Sequence, residues 1–225
     1  MITIILAGIE NPGNLGAVAR VMKNFGFAKL VLLNPNCSIT QDARDRAKHA
    51  QDILDDCKTI SEKSLSKFDL LIASTARLGT DYNLPRSALD LEDVVKKINA
   101  VPPKTKIGIL FGPESTGLSN ALIQKADITF TINTTEAYPS LNLSHAVAVT
   151  LHALSNAPKR TQRFTPITQR EKHELMKLIK KRIKQMPLRT DGQRLTQEKL
   201  WRNILGKAML TKREAQALFG FLKKS

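Results

Sequence analysis

Cysteine is almost missing from this chain of 225 residues: there are two, Cys37 and Cys57, without C-x-x-C spacing. They are too few for a disulfide framework or a structural zinc site, so reduced thiols in a cytosolic protein are the expectation. Long apolar runs are missing as well. No stretch approaches the roughly 20 apolar residues that a membrane span requires. The opening MITIILAG lacks a basic n-region, and Gly8 and Glu10 break its apolar run, so it is expected to form a first buried strand and not a signal peptide. There is no internal repeat and no low-complexity segment.

Acidic residues are scarce in one region only. Residues 1–155 hold 16 Lys and Arg against 15 Asp and Glu, a net of +1, whereas residues 156–225 hold 19 against 5, a net of +14. Nearly all of the chain's +15 therefore lies in its last third. A polyanion such as RNA, DNA or an anionic membrane surface is the expected partner, met largely through the tail. A merely solubilising helix usually mixes charges of both signs.

The first 155 residues alternate short apolar runs with helix-like segments, the pattern of an α/β fold around a mainly parallel sheet. Strands are expected at Thr3–Ala7, Lys29–Leu33, Asp69–Ala73, Lys106–Phe111 and Ile128–Ile132. Helices are expected near Gly16–Phe25, in broken form over Gln41–Cys57, and at Leu91–Ile98, Ser119–Lys125 and Leu143–Leu154. A Pro-containing stretch, 156–167, reads as a linker between a catalytic domain (1–155) and a basic helical tail (168–225). In the tail, Thr168 with Glu171 and Thr211 with Glu214 are capping-box signatures. The first opens a helix to about Gln185 and the second a helix to Leu222. Between them, a loop through Asp191 and Gly192 is expected to lead into Thr196–Leu205.

Three segments carry chemistry, each at the C-terminal end of an expected strand, where open α/β sheets bind ligands. In ENPGNLGAVAR, Gly13 and Gly16 allow close backbone approach at a helix start, with the Asn14 amide between them. Arg20, four residues past Gly16, lies on the same helix face and can lean towards that entrance. No G-x-G-x-x-G is present, which excludes the dinucleotide fingerprint. In ILFGPESTGLS, Gly112 and Gly117 flank Glu114, permitting a compact loop with inward-facing backbone groups. In INTTEAYPSLNLSHAVAV, Ser140 and Asn142 stand just before an apolar helix, placed either to cap it or to meet a ligand. His145 and His152, seven apart, lack a third ligand and are expected to be packed or at a subunit surface, with no metal.

Together and in this order, the segments resemble the three signature motifs of the SPOUT superfamily of knotted methyltransferases, in its branch of RNA ribose 2′-O-methyltransferases. N-x-G-x-x-x-R falls on Asn14, Gly16 and Arg20, F-G-x-E-x-x-G-L-S on Phe111 to Ser119, and S-L-N-L-S on Ser140 to Ser144. Pro113 departs from the pattern, since many relatives carry Arg there. Within the branch, the chain is most similar to the TrmJ subfamily, which modifies the ribose at position 32 of the tRNA anticodon loop and shares the T-x-R-like stretch Ser74 to Arg77.

The resemblance implies an α/β domain with a C-terminal trefoil knot and S-adenosylmethionine as cofactor. It places that cofactor among Thr75, Ala76, Arg77, Gly112, Ile132, Pro139, Ser140 and Leu141. It further implies a homodimer in which one chain's Arg20 approaches the other chain's cofactor, with Ser140 and Asn142 holding Arg20 or the ribose, and Asn14 and Glu114 in support. The expected function is ribose 2′-O-methylation of tRNA in the cytoplasm, without membrane or metal. Alternatives are an rRNA methyltransferase of the same superfamily and a catalytically idle RNA-binding module. Intact Arg20, Ser140 and Asn142 argue against the idle module.

Overall fold

Short apolar runs separated by amphipathic stretches fold into alternating strands and helices in the computed structural model, which describes residues 1–76, 88–135, 137–157 and 166–224. The first half runs β1 (Ile2–Ala7), α1 (Pro12–Asn24), β2 (Leu30–Leu33), α2 (Gln41–Ala47), a 3-10 turn (Lys48–Ala50), α3 (Gln51–Asp55), β3 (Lys58–Ile60) and a second 3-10 turn (Glu62–Lys67). Then come β4 (Leu70–Ser74), β5 (Leu89–Asp90), α4 (Leu91–Ala100), β6 (Ile107–Phe111), α5 (Asn120–Lys125), β7 (Ile128–Thr131) and α6 (Leu143–Asn156). The tail supplies α7 (Gln169–Gln185), α8 (Asp191–Ala208) and α9 (Lys212–Lys224).

The strands form one sheet in the order β3-β2-β1-β6-β4-β7-β5, and every neighbouring pair is parallel. A parallel sheet must be covered on both faces. Strand alternation divides the work: Ile4, Leu6, Ile72, Ile109 and Phe111 face a thick layer made by α1 to α4 and α6. Their neighbours Ile5, Ala7, Leu71, Ala73 and Leu110 face a thinner layer under Leu65, Leu118 and Ile123. β3 and β5, absent from the sequence expectations, extend the two edges. No helix among the described residues is long and apolar enough to cross a membrane.

The tail has its own small core, in which Leu175, Ile179 and Ile183 of α7 meet Leu205 and Ala215, with Trp201 and Phe219 packed against them. The expected loop at Asp191 and Gly192 is instead the first turn of α8, because Thr190 caps it in a capping box with Gln193. Thr168 and Glu171 form the expected box on α7. Of the linker expected over 156–167, residues 158–165 lie outside the described residues. Asn156 still belongs to α6, and Ile167 N–H donates to the Leu210 carbonyl at 2.9 Å.

The tail is seated on the body at the N-terminal ends of β4 and β7, through Asp127. That carboxylate accepts from Lys172 Nζ at 2.9 Å, Gln169 Nε2 at 2.9 Å and Leu71 N–H at 2.8 Å. The Lys172 and Asp127 side chains are each only 11% exposed. α8 approaches so closely at Gly206 that a Cβ there would stand 1.7 Å from the Asp127 carbonyl oxygen. Gly206→Ala therefore has to push α8 off the start of β7. The expected cost is that of overpacking, about 3 kcal/mol, which for a chain of this size lowers the melting temperature by roughly 6–12 °C. A thermal melt checks it, and an unchanged midpoint would mean that the tail does not rest on β7.

Candidate active site

Helix α1 starts where Asn11 accepts hydrogen bonds from the N–H groups of Gly13 (2.7 Å) and Asn14 (3.4 Å), with Pro12 in the first turn. That start is four residues earlier than the sequence suggests, and it sets Asn14 facing the loop after β6. Asn14 Nδ2 donates to Glu114 Oε1 at 2.7 Å, and Asn142 Nδ2 donates to Asn14 Oδ1 at 3.2 Å. Asn142 in turn caps α6, its Oδ1 accepting from Ser144 N–H at 2.9 Å and Ser144 Oγ–H at 2.8 Å. Glu114 Oε2 accepts from Glu10 N–H at 3.2 Å. One residue from each motif thus joins a single chain, Asn142 to Asn14 to Glu114. The carboxylate accepts only, so it fixes which end of the Asn14 amide faces it and passes that orientation on to Asn142. Ser115 Oγ–H closes the edge by donating to Glu10 Oε1 at 2.9 Å.

Beside this chain, at the C-terminal ends of β4, β6 and β7, lies a cavity of about 250 Å3. Thr75, Ala76, Gly112, Ile132, Pro139, Ser140 and Leu141 all line it. Arg77 lies outside the described residues. The cavity also takes in Ser74, Phe111, Leu118, Leu143 and Ala146, none of which the sequence reading assigns to the cofactor. A signal for three of them exists: Phe111 is the last apolar residue of β6, and Leu143 and Ala146 lie in the first turn of α6, the helix after β7. Near the loop, burial first and the Glu114 charge second push the Cys37 thiol above its ordinary range.

Arg20 is not brought to this cavity in its own chain, and it makes no hydrogen bond to Ser140 or Asn142, contrary to the lean towards the glycine-rich entrance expected from spacing. The reason is the packing of α1. Gly16 faces α2 so closely that a Cβ would meet the Ala43 carbonyl oxygen at 2.0 Å, and Arg20, one turn on, follows that face. Its exposed side chain lines two clefts instead, one with Lys23, Asn24, Lys48 and His49, the other with Asp45, Arg46, Lys48, Ser144 and His145. His145 is exposed, while His152 meets the Phe25 ring edge-on at 5.9 Å and lies 2.8 Å from Asn156 Nδ2. Among the described residues, no three His, Cys, Asp or Glu side chains gather as metal ligands would.

Comparison with known proteins gives this geometry a context. The tRNA (cytidine-2'-O-)-methyltransferase TrmJ of Methanocaldococcus jannaschii is 39% identical over 173 residues, covering 76% of this chain and 74% of the relative. The tRNA (cytidine/uridine/adenosine-2'-O-)-methyltransferase TrmJ of Pseudomonas aeruginosa is 32% identical over 151 residues; the match covers 66% of this chain and 58% of that relative's length. The crystal structure of TrmJ from Z. mobilis superposes with a TM-score of 0.74 at 23% identity, covering 100% of this chain and 98% of the other, which shows the shared fold. The SpoU rRNA Methylase family model matches residues 1–152, the span that holds the sheet, the cavity and all three motifs. The chain belongs to the SpoU rRNA Methylase family.

Proposed function

We propose that this protein transfers a methyl group from S-adenosylmethionine to a ribose 2′-oxygen of tRNA, at position 32 of the anticodon loop, as a cytoplasmic homodimer with the trefoil knot of its superfamily. The observation that carries the reading is the meeting of the second and third motif loops around one cavity, with the first motif tied to both through the Asn142–Asn14–Glu114 chain. The curated relatives described above, both tRNA 2′-O-methyltransferases, support tRNA over rRNA.

The lining fits the cofactor. Phe111, Leu118, Ile132, Leu143 and Ala146 offer apolar walls for an adenine ring. Ser74, Thr75, Ser140 and the backbone of the Gly112 loop offer polar groups for the ribose and amino-acid ends. The one carboxylate in the lining, Glu114, is held by Asn14 and by the Glu10 N–H. When bound, the cofactor supplies an electrophilic methyl group on a positively charged sulfur.

The chain's own residues then have to align a hydroxyl with that methyl and help remove its proton. A guanidinium stays protonated, so Arg20 orients the ribose and stabilises the developing negative charge on its oxygen, while the hydroxyl proton passes to a substrate phosphate or to water. Because Arg20 lies away from the cavity of its own chain, the reading requires a second copy to supply it. The exposed α1 and α6 surface that carries Arg20, His145 and the 41%-exposed Val149 suits such an interface. Ser140 orients the cofactor end from the cavity wall. The +14 tail binds the tRNA backbone.

Titration calorimetry with S-adenosylmethionine in the presence of a chelator is expected to give binding without RNA, and Ser140→Ala is expected to weaken it about tenfold, the loss of one hydrogen bond of roughly 1.4 kcal/mol. Methyl transfer from labelled cofactor to tRNA, followed by mapping of the modified ribose, tests the activity. Labelling of rRNA and not tRNA, or no labelling of either, would overturn the assignment.

A further inference from the structure

We propose that Lys48 is a substrate-binding residue: it holds the RNA phosphate next to the ribose that Arg20 addresses. The inference rests on the reading of Arg20 as the arginine that meets the ribose. Lys48 lines both clefts that flank Arg20, so the two cations stand on a common opening.

Three observations separate Lys48 from an ordinary surface lysine. The first is its backbone. After α2 ends, Lys48 has φ 52° and ψ −115°, close to the first central position of a type II′ turn, which glycine favours. A lysine here strains the turn where a glycine would relax it. The second is pairing. Around the clefts, Lys23 is bonded to Asp52, Arg44 to Asp55 and Arg46 to Asp42. Arg20 and Lys48 have no ion pair or side-chain hydrogen bond among the described residues. Asp45, the acidic residue on one of the two clefts, accepts from Gln41 Nε2 at 2.9 Å and is bonded to neither cation. Two cations without an ion-pair partner on one opening are placed to meet an anionic group.

The third is the chemistry of the substrate. The 2′-oxygen sits on the carbon next to the one that carries the 3′-phosphate, so an arginine at the 2′-oxygen leaves that phosphate beside any second cation in the cleft. Negative charge developing on the 2′-oxygen is opposed by the phosphate's own charge. A lysine on the phosphate removes that opposition as well as fixing the nucleotide.

The test uses the full-length protein and tRNA, with Lys48→Gln, Lys48→Arg and Lys48→Gly. Lys48→Gln is expected to raise KM for tRNA about tenfold with a smaller fall in kcat. It should also flatten the dependence of log affinity on log salt by about 0.7–0.9, the share of one phosphate. Lys48→Arg should restore both. Lys48→Gly is expected to melt above the wild type, because the turn relaxes, and yet to share the KM and salt-slope defects of Lys48→Gln. A purely structural role would move stability and RNA binding together, so a Lys48→Gly protein that melts lower and binds worse overturns the proposal. Wild-type KM and salt slope in both Lys48→Gln and Lys48→Gly overturn it too. The salt slope is read from binding alone, so it judges Lys48 even if Arg20→Ala turns over normally and the reading of Arg20 fails.

Discussion

Arg20→Ala is expected to slow methyl transfer by roughly 10²- to 10³-fold, the usual loss when a group that stabilises developing oxyanion charge is removed. Cofactor affinity should stay near the wild-type value, because Arg20 is assigned to the ribose hydroxyl and not to the cofactor. Single-turnover transfer with labelled cofactor reads the first, and calorimetry reads the second. Wild-type turnover would remove Arg20 from the mechanism. A mixed dimer then asks from which chain the arginine comes. Pair an Arg20→Ala chain with a Ser140→Ala chain: if Arg20 acts across the interface, one site combines an intact cavity with an intact arginine, and activity returns. If Arg20 served its own cavity, both sites would be damaged, and with the cofactor held below the Kd of the Ser140→Ala chain the mixture would stay about tenfold below one intact site. The location of Arg20 beside α2, away from its own Ser140, leads to the first outcome.

That location is not legible in the sequence. Spacing places Arg20 on the Gly16 face, correctly, but which neighbour occupies that face is a tertiary fact set by the close approach of Ala43. The central strands are legible because β1, β4, β6 and β7 are apolar runs that bury residues on both faces, whereas β3 and β5 escape because they are two or three residues long, at the sheet edges and poorly buried. The strand order, with β6 placed between β1 and β4, leaves no local trace. Caps read better than boundaries: Thr168 and Glu171 announce α7, but Asp191 and Gly192 read as a loop although Thr190 and Gln193 carry the same box. At the cavity, the motifs point to Gly112, Ile132, Pro139, Ser140 and Leu141, and not to the apolar wall behind them. Sequence motifs mark the polar groups that a ligand meets, while Leu118, Leu143 and Ala146 read as ordinary core positions.

The charge of the tail leads to the other large effect, and its seating on the body decides how that effect has to be measured. Cutting the chain near Asn156 would remove the charge, but it would also strip Lys172 and Gln169 from Asp127 and uncover the part of the body on which α7 and α8 rest. A truncated protein that failed to bind RNA could have failed through that lost packing and would say little about phosphates. The outer face of α7 offers a cleaner experiment. Arg170, Lys177, Lys181 and Lys184 recur at helical spacing on the side opposite Leu175, Ile179 and Ile183, and all four are exposed. Changing these four to Gln leaves Asp127, Gly206 and the tail's core in place. Every phosphate that is no longer neutralised should reduce the slope of log affinity against log salt by about 0.7–0.9, which for four phosphates is roughly a 10²- to 10³-fold drop in tRNA affinity near physiological salt. Cofactor binding and the melting temperature should hardly change, since the cavity lies at the C-terminal ends of the strands and the tail at the N-terminal ends. Equilibrium binding across a salt series, with calorimetry and a thermal melt on the same preparation, supplies all three readings. A quadruple variant that melts normally and binds tRNA with wild-type affinity and slope would show that the excess charge of α7 faces some other partner.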